Sequence, residues 1–270
     1  MEYVTVGDVE IPALGLGTYQ LRGTQCVESV STALEMGYRH IDTAEFYENE
    51  RQVGRALAES PIDEDELFVT TKVWRSNLAG EDVHRSARAS REKLGLETID
   101  LLLIHWPSRS VPIRETIGAM NELQDAGLVD HIGVSNFSVG QLEEAIDASR
   151  TPIITNQVKY HPFHGQDELL SACIERDVML TAYSPLAKGS VVDDDTLERI
   201  ADRYGKTPAQ VALRWLVQQE NVAAIPKATS RAHLESNCDI FDFSLSDAEM
   251  EAIFELQGGL LAGLRSRLGL

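Results

Sequence analysis

Eight short apolar stretches alternate with amphipathic helical stretches over 270 residues, and no GxGxxG fingerprint accompanies them. Together these observations predict an α/β protein: a (β/α)8 TIM barrel with an N-terminal β-hairpin and extra helices. Alternation alone also allows a doubly wound open sheet. The fingerprint separates the two, because an open sheet holds its dinucleotide on that glycine loop. Gly15-Leu16-Gly17-Thr18-Tyr19-Gln20 stops short of it. Barrels of about 250 residues form one domain, so residues 1–270 are expected to be a single barrel.

The first element is the hairpin. Val4-Thr5-Val6 and Val9-Glu10-Ile11 flank Gly7-Asp8, a two-residue turn opening on glycine. Barrel strands are expected at 14–17, 40–42, 67–72, 99–105, 131–134, 155–158, 178–183 and 222–225. Among the helices, Val83, Ala87, Ser90 and Leu94 share one face, with Gly95 where the helix should end. Ser138 to Gln141, Thr207 to Gln210 and Ser246 to Glu249 have capping-box spacing, and Pro208 suits a first helical position. Residues 193–204 read as an additional helix before the one that begins at Thr207.

Composition narrows the function. The apolar fraction of 43% and charged fraction of 25% suit a soluble globular protein. No apolar run approaches a membrane span, and MEYVTVGDVE is not a signal peptide. Cys26, Cys173 and Cys238 form no metal or redox motif, so a cytoplasmic setting is expected. The net charge is -19, and only six lysines are present, which argues against nucleic acid or anionic membranes as partners. Two readings of that charge stay open: plain acidic solubility, or a halophile's adaptation to salt that screens self-repulsion.

Barrel chemistry sits at the carboxyl ends of the strands. Asp42 ends the second barrel strand, with Tyr47 in the loop behind it; Lys72 ends the third and His105 the fourth. These four side chains should therefore share one rim. A phenol is a weak acid, and Lys72 is expected to lower the Tyr47 pKa while Asp42 holds Lys72 and His105 orients a substrate. Taken singly, the Lys–Asp pair reads equally as a plain ion pair, His105 as a core histidine and Tyr47 as a cap on the barrel mouth. GxSxG, P-loop and HExxH motifs are missing, which removes the usual anchors of hydrolases and nucleotide hydrolysis. His161 and His164 have a metal-like spacing, but no carboxylate or cysteine stands beside them, and no metal is expected.

At this point the chain resembles a family. GLGTYQ, GYRHIDTAEFYEN, LGLETIDLLLIHWP, GVSNF, NQVKYHP, AYSPL and IPKATSRAHLESN occur in the order found in the aldo-keto reductases, notably the prokaryotic aldehyde and 2,5-diketogluconate reductases. The resemblance implies a catalytic tetrad of Asp42, Tyr47, Lys72 and His105, with Tyr47 the proton donor. It implies an NADP(H) cofactor, with NAD(H) as the alternative, lying across the barrel mouth. Ser135, Asn136 and Gln157 would hold the nicotinamide carboxamide and Tyr183 would stack on its ring. Thr18, Asp42, Ser184 and Leu186 would complete that end of the site, and Lys227, Thr229, His233 and Asn237 would surround the adenosine phosphate. Read without the family, Ser135, Asn136 and Gln157 are ordinary backbone caps and Tyr183 a core aromatic.

Tyr19, Phe46, Trp74 and Trp106 match positions that line an apolar pocket for a small carbonyl substrate. The tail GGLLAGLRSRLGL is short and lacks aromatics, which implies an open site for small aldehydes, ketones, dicarbonyls or keto-sugar acids. In the phosphate segment this chain departs from its relatives. Ala228 replaces a serine, and His233 stands where an arginine is usual, so NADPH should be preferred over NADH by a reduced margin. The expected activity is carbonyl reduction by a monomer. The alternative is an NADP(H)-binding sensor or regulatory subunit on the same fold, since fold alone does not decide function.

Overall fold

A computed structural model describes residues 1–258. The notable tail therefore lies almost wholly outside the described residues. Val6 and Val9 pair across Gly7-Asp8, and Gly7 takes the left-handed φ of +56° that this turn requires. The two strands of the hairpin are β1 (Tyr3–Val6) and β2 (Val9–Pro12).

Eight parallel strands follow: β3 (Gly15–Gly17), β4 (His40–Asp42), β5 (Phe68–Val73), β6 (Ile99–Ile104), β7 (Val129–Ser135), β8 (Ile153–Lys159), β9 (Met179–Tyr183) and β10 (Val222–Ala224). Each pairs with the next in chain order. The circle is completed by a parallel bridge between Leu14 and Ala224, the Ala224 N–H donating to Ala13 O at 2.8 Å. The result is a nearly closed (β/α)8 barrel. The expected strands are all present, with no end shifted by more than two residues. β7 and β8 start earlier than expected, and β6 stops at Ile104, although the His105 N–H still donates to Val73 O at 3.0 Å.

The helices are α1 (Gly23–Glu35), α2 (Glu50–Ala58), α3 (Gly80–Leu94), α4 (Ile113–Asp125), α5 (Val139–Ala148), α6 (Asp167–Glu175), α7 (Asp195–Tyr204), α8 (Pro208–Val217), α9 (Arg231–Cys238) and α10 (Asp247–Glu255). Local chemistry accounts for their ends. Ser138, Thr207 and Ser246 each form the reciprocal capping box, and Gly95 ends α3 at φ +72°. The helix read at 193–204 begins later because Asp194 is its cap, accepting the Thr196 and Leu197 N–H groups; the stretch before it, Ala187–Asp193, is 3₁₀ in part and kinked at left-handed Lys188 and Gly189. In α3 the face with Val83, Ala87, Ser90 and Leu94 is buried against the barrel.

The seam between β3 and the segment after β10 permits no side chain. A Cβ on Gly17 would stand 2.7 Å from Ile225 O, and the Gly17 N–H donates to Pro226 O at 3.0 Å. Gly17→Ala is therefore expected to lower stability by about 1–3 kcal/mol, as overpacking does. Urea unfolding of the variant beside the wild type measures it, and an unchanged midpoint would contradict the seam geometry.

Candidate active site

The register places the rim residues. Gly17 pairs with Asp42, Asp42 with Thr70, and Lys72 with Leu103, so the carboxyl ends of β3 to β6 lie level. Lys72 is 1% exposed, and a buried ammonium must satisfy its three N–H donors. Its Nζ donates to Asp42 Oδ1 at 2.6 Å, to Thr43 O at 2.8 Å and to Tyr47 Oη at 3.3 Å. The other oxygen of Asp42 accepts from Gln157 Nε2 at 2.7 Å, across the barrel. Thr18 Oγ1 donates to the Asp42 main-chain carbonyl at 2.9 Å. The His105 ring lies edge-on to Tyr47, with centroids 5.5 Å apart.

Burial sets the protonation states. It pulls the His105 pKa down to about 3, helped by the Lys72 charge, so the imidazole is neutral at neutral pH. His105 Nδ1 is enclosed without a hydrogen-bond partner. A hydrogen there would be a buried donor with no acceptor, so we assign the proton to Nε2. Burial and then the Asp42 charge raise the Tyr47 pKa well above its ordinary value. The expectation that Lys72 lowers it is thus corrected for the resting site. Asp42 offsets the ammonium, and loss of water dominates. Burial also lowers the Lys72 pKa, with Asp42 opposing the change.

A second polar row runs beside the first. Ser135 pairs in register with Gln157, and Ser135 Oγ donates to Gln157 O at 2.8 Å. Asn136 has a left-handed φ of +62°, and its Nδ2 donates to His105 O at 3.0 Å and to Ser135 Oγ at 2.9 Å. Tyr183 Oη donates to Asn136 Oδ1 at 2.9 Å, and its ring is half-buried. Ser184 is also left-handed and Leu186 half-buried, both in the loop after β9. Hydroxyl and amide groups beside a partly open aromatic ring suit a nicotinamide carboxamide. The Gln157 amide nitrogen is already engaged by Asp42, a contact that sequence reasoning missed.

Tyr19 is 50% exposed, Phe46 46% and Trp106 41%, which sets them at the mouth and not in the core. Phe46 stacks on Trp74 at 3.9 Å between centroids, Trp74 lies 5.0 Å from the His105 ring, and Tyr19 lies 5.0 Å from the Tyr47 ring. Farther along the mouth, Ser230 caps α9 by accepting the His233 N–H. Lys227, Thr229 and His233 are exposed there, while Asn237 is buried. Lys227 Nζ donates to Gln20 Oε1 at 3.2 Å, and Arg231 pairs with Glu35 at 2.5 Å. His161 Nδ1 accepts the Phe163 N–H, and among the described residues no cluster of three His, Cys, Asp or Glu side chains stands where a metal would bind. No helix among the described residues is long and apolar enough to cross a membrane.

Residues 13–257 match the Aldo/keto reductase family. The chain belongs to that family. It is 40% identical over 246 residues to the glyoxal reductase of Bacillus subtilis, covering 91% of this chain and 88% of that protein. It is 40% identical over 249 residues to the methylglyoxal reductase of Escherichia coli O157:H7, covering 91% and 93%. A solved structure provisionally assigned as a 2,5-diketo-D-gluconic acid reductase B superposes with a TM-score of 0.93 at 45% identity, covering 95% of this chain and 91% of that one. The aldo-keto reductase assignment makes the protein an oxidoreductase that reduces carbonyls, in preference to a sensor on the same fold.

Three buried histidines give this aldo-keto reductase an acid-sensitive fold. Burial lowers His40 and His161 from 6.5 to about 4, and His105 from 6.5 to about 3. Between pH 6.5 and about 4 the unfolded chain binds more protons at these histidines than the folded one, so their contribution to stability falls as pH falls, opposed by Asp100, which burial raises from 3.8 to about 7. The expected slope is about 1.4 kcal/mol per pH unit for each histidine. Urea unfolding at pH 7, 6 and 5 reads it; His105→Gln should flatten the slope, and an unchanged slope would contradict the neutral assignment.

Proposed function

We propose that this enzyme reduces small carbonyl compounds, α-dicarbonyls such as glyoxal and methylglyoxal foremost, with NADPH as the preferred cofactor. The observation that carries the reading is the Lys72 ammonium bonded to both Asp42 and Tyr47, opposite a neutral His105 and under an aromatic wall. The substrate names of the two relatives support the substrate class. We further read the protein as a single-domain cytoplasmic monomer, its acid excess suiting a salt-rich medium.

In this reading the carbonyl oxygen lies between Tyr47 Oη and His105 Nε2. Ser135, Asn136, Gln157 and Tyr183 would hold a nicotinamide, whose chemistry when bound would be hydride donation to the carbonyl carbon. The His105 Nε2–H donates to the oxygen, and the neutral ring carries no acidic imidazolium proton to compete with that of Tyr47. Tyr47, whose raised pKa keeps it protonated at rest, gives its proton to that oxygen. Lys72 acts at that moment, because its ammonium lies 3.3 Å from the oxygen that becomes phenolate. Asp42, 2.6 Å from the ammonium, favours the charged form of Lys72. Removing the phenol hydroxyl should cost about 10²–10⁴-fold in turnover, the usual worth of general acid catalysis, with cofactor affinity intact. Methylglyoxal-dependent NADPH oxidation by Tyr47→Phe measures it, and near-normal turnover would falsify the assignment.

The phosphate end is proposed at the start of α9, where Lys227 and Thr229 are exposed and the helix terminus favours an anion. Arg231 is turned to Glu35 and is a weaker candidate than its position in the sequence suggests. A neutral imidazole at His233 cannot reproduce the two-donor grip of a guanidinium. His233→Arg should therefore tighten NADPH about tenfold, as one charge-assisted bond would, and leave NADH nearly unchanged. Dissociation constants for both cofactors, from tryptophan quenching, provide the check; equal gains for both would misplace the phosphate.

A further inference from the structure

Three consecutive side chains leave the 3₁₀ turn Glu45–Tyr47 in different directions. Tyr47 turns inward to Lys72, and Phe46 lies flat on Trp74 with 16° between the ring planes. Glu45 crosses to the loop after β5. There its Oε1 accepts the Trp74 backbone N–H and, at 3.1 Å, the Asn77 side-chain amide. Asn77 N–H in turn donates to Trp74 O at 2.8 Å, so residues 74–77 form a turn with Glu45 at its open end.

Little else joins these two segments. The last main-chain bond between them is Thr43 N–H to Thr70 O at 2.8 Å, at the top of the sheet. Above that level the Glu45 bonds and the Phe46–Trp74 stack hold the loops together. Glu45 is half-buried, and among the described residues it makes no salt bridge to a lysine, arginine or histidine. Its partners are neutral donors, and hydrogen bonds to an ionised acceptor are about twice as strong as neutral ones.

We propose that Glu45 is a positioning residue for the substrate wall. It clamps the 74–77 loop to the 45–47 turn, fixes the Phe46–Trp74 stack beside His105, and so sets the affinity for carbonyl compounds with an aromatic body. This rests on the carbonyl-reductase reading. Tyr47 is held separately by Lys72; the His105 main chain is held by Val73 and Asn136, and its ring also packs against Tyr47. Loosening the clamp therefore moves the wall and leaves the reacting groups in place. A two-carbon or three-carbon dicarbonyl reaches Tyr47 and His105 without leaning on the stack, whereas a phenyl group must lie against it.

The test is steady-state kinetics with methylglyoxal and phenylglyoxal at saturating NADPH, on wild type, Glu45→Ala, Glu45→Gln and Asn77→Asp. Glu45→Ala should raise KM for phenylglyoxal about tenfold, the equivalent of one lost hydrogen bond, with kcat and the methylglyoxal constants within about twofold. Glu45→Gln keeps an acceptor oxygen and should restore most of the affinity. Asn77→Asp sets two carboxylates together and should reproduce the Glu45→Ala pattern without altering the 45–47 turn. An unchanged phenylglyoxal KM in Glu45→Ala, a fall in kcat shared by both substrates, or a glutamine no better than alanine overturns the proposal. A wild type that turns over neither compound overturns the reductase reading, and this proposal with it.

Discussion

An ammonium group inside a barrel is expensive, and the architecture of this protein is arranged around one. Lys72 has lost its water and gained three acceptors: Asp42, the Thr43 carbonyl and the Tyr47 hydroxyl. All three come from the end of β4 and the turn that follows it. A buried charge left unpaired costs several kcal/mol, so the strand end, the loop and the lysine have to fold as one unit. Asp42 in turn needs a partner for its second oxygen and finds Gln157 on the opposite side of the barrel. The polar centre is thus complete only when the sheet has closed.

The same exclusion of water assigns the resting protonation states. His105 stays neutral because an imidazolium would be poorly solvated next to Lys72. Tyr47 keeps its proton because a phenolate would be poorly solvated next to Asp42. The centre therefore holds two neutral donors where a carbonyl oxygen would enter, and a cation placed to meet the negative charge only once it forms. This division of labour resolves the conflict between a phenol that must remain protonated and one that must release its proton.

Around the polar centre the packing is less economical. Phe46 and Trp106 keep large apolar surfaces exposed, which a fold selected for stability alone would bury. Second-layer contacts hold the loops that carry them. Asn49 is fully buried and donates to Thr18 O and Leu21 O while accepting from Thr43 Oγ1, tying the loop after β3 to the loop after β4. Glu50 accepts from Thr71 Oγ1 and Lys93 Nζ on the outer side of β5, behind Lys72. Asn49 and Glu50 follow Tyr47 in the sequence, yet nothing in that adjacency says that one reaches inward to β3 and the other outward to α3.

Much of the fold was legible because its signals are local. Apolar runs marked the eight strands, Ser/Thr-x-x-Gln/Glu spacing marked three helix starts, and Gly95 marked a helix end. Strand-end arithmetic was enough to bring Asp42, Lys72 and His105 to one rim, since parallel strands of a barrel finish at a common level. Directions of side chains across the barrel were not legible. The Gln157–Asp42 bond joins residues 115 apart in sequence, and Glu45 reaches the Trp74 N–H only because two loops converge above the sheet. The pKa shift of Tyr47 had the sign opposite to the one read from a neighbouring lysine, because composition counts charges but not the water removed from around them. What the sequence determined by itself was which residues stand on the rim; tertiary structure alone decided what each of them faces and how dry it is, since both depend on closure of the sheet.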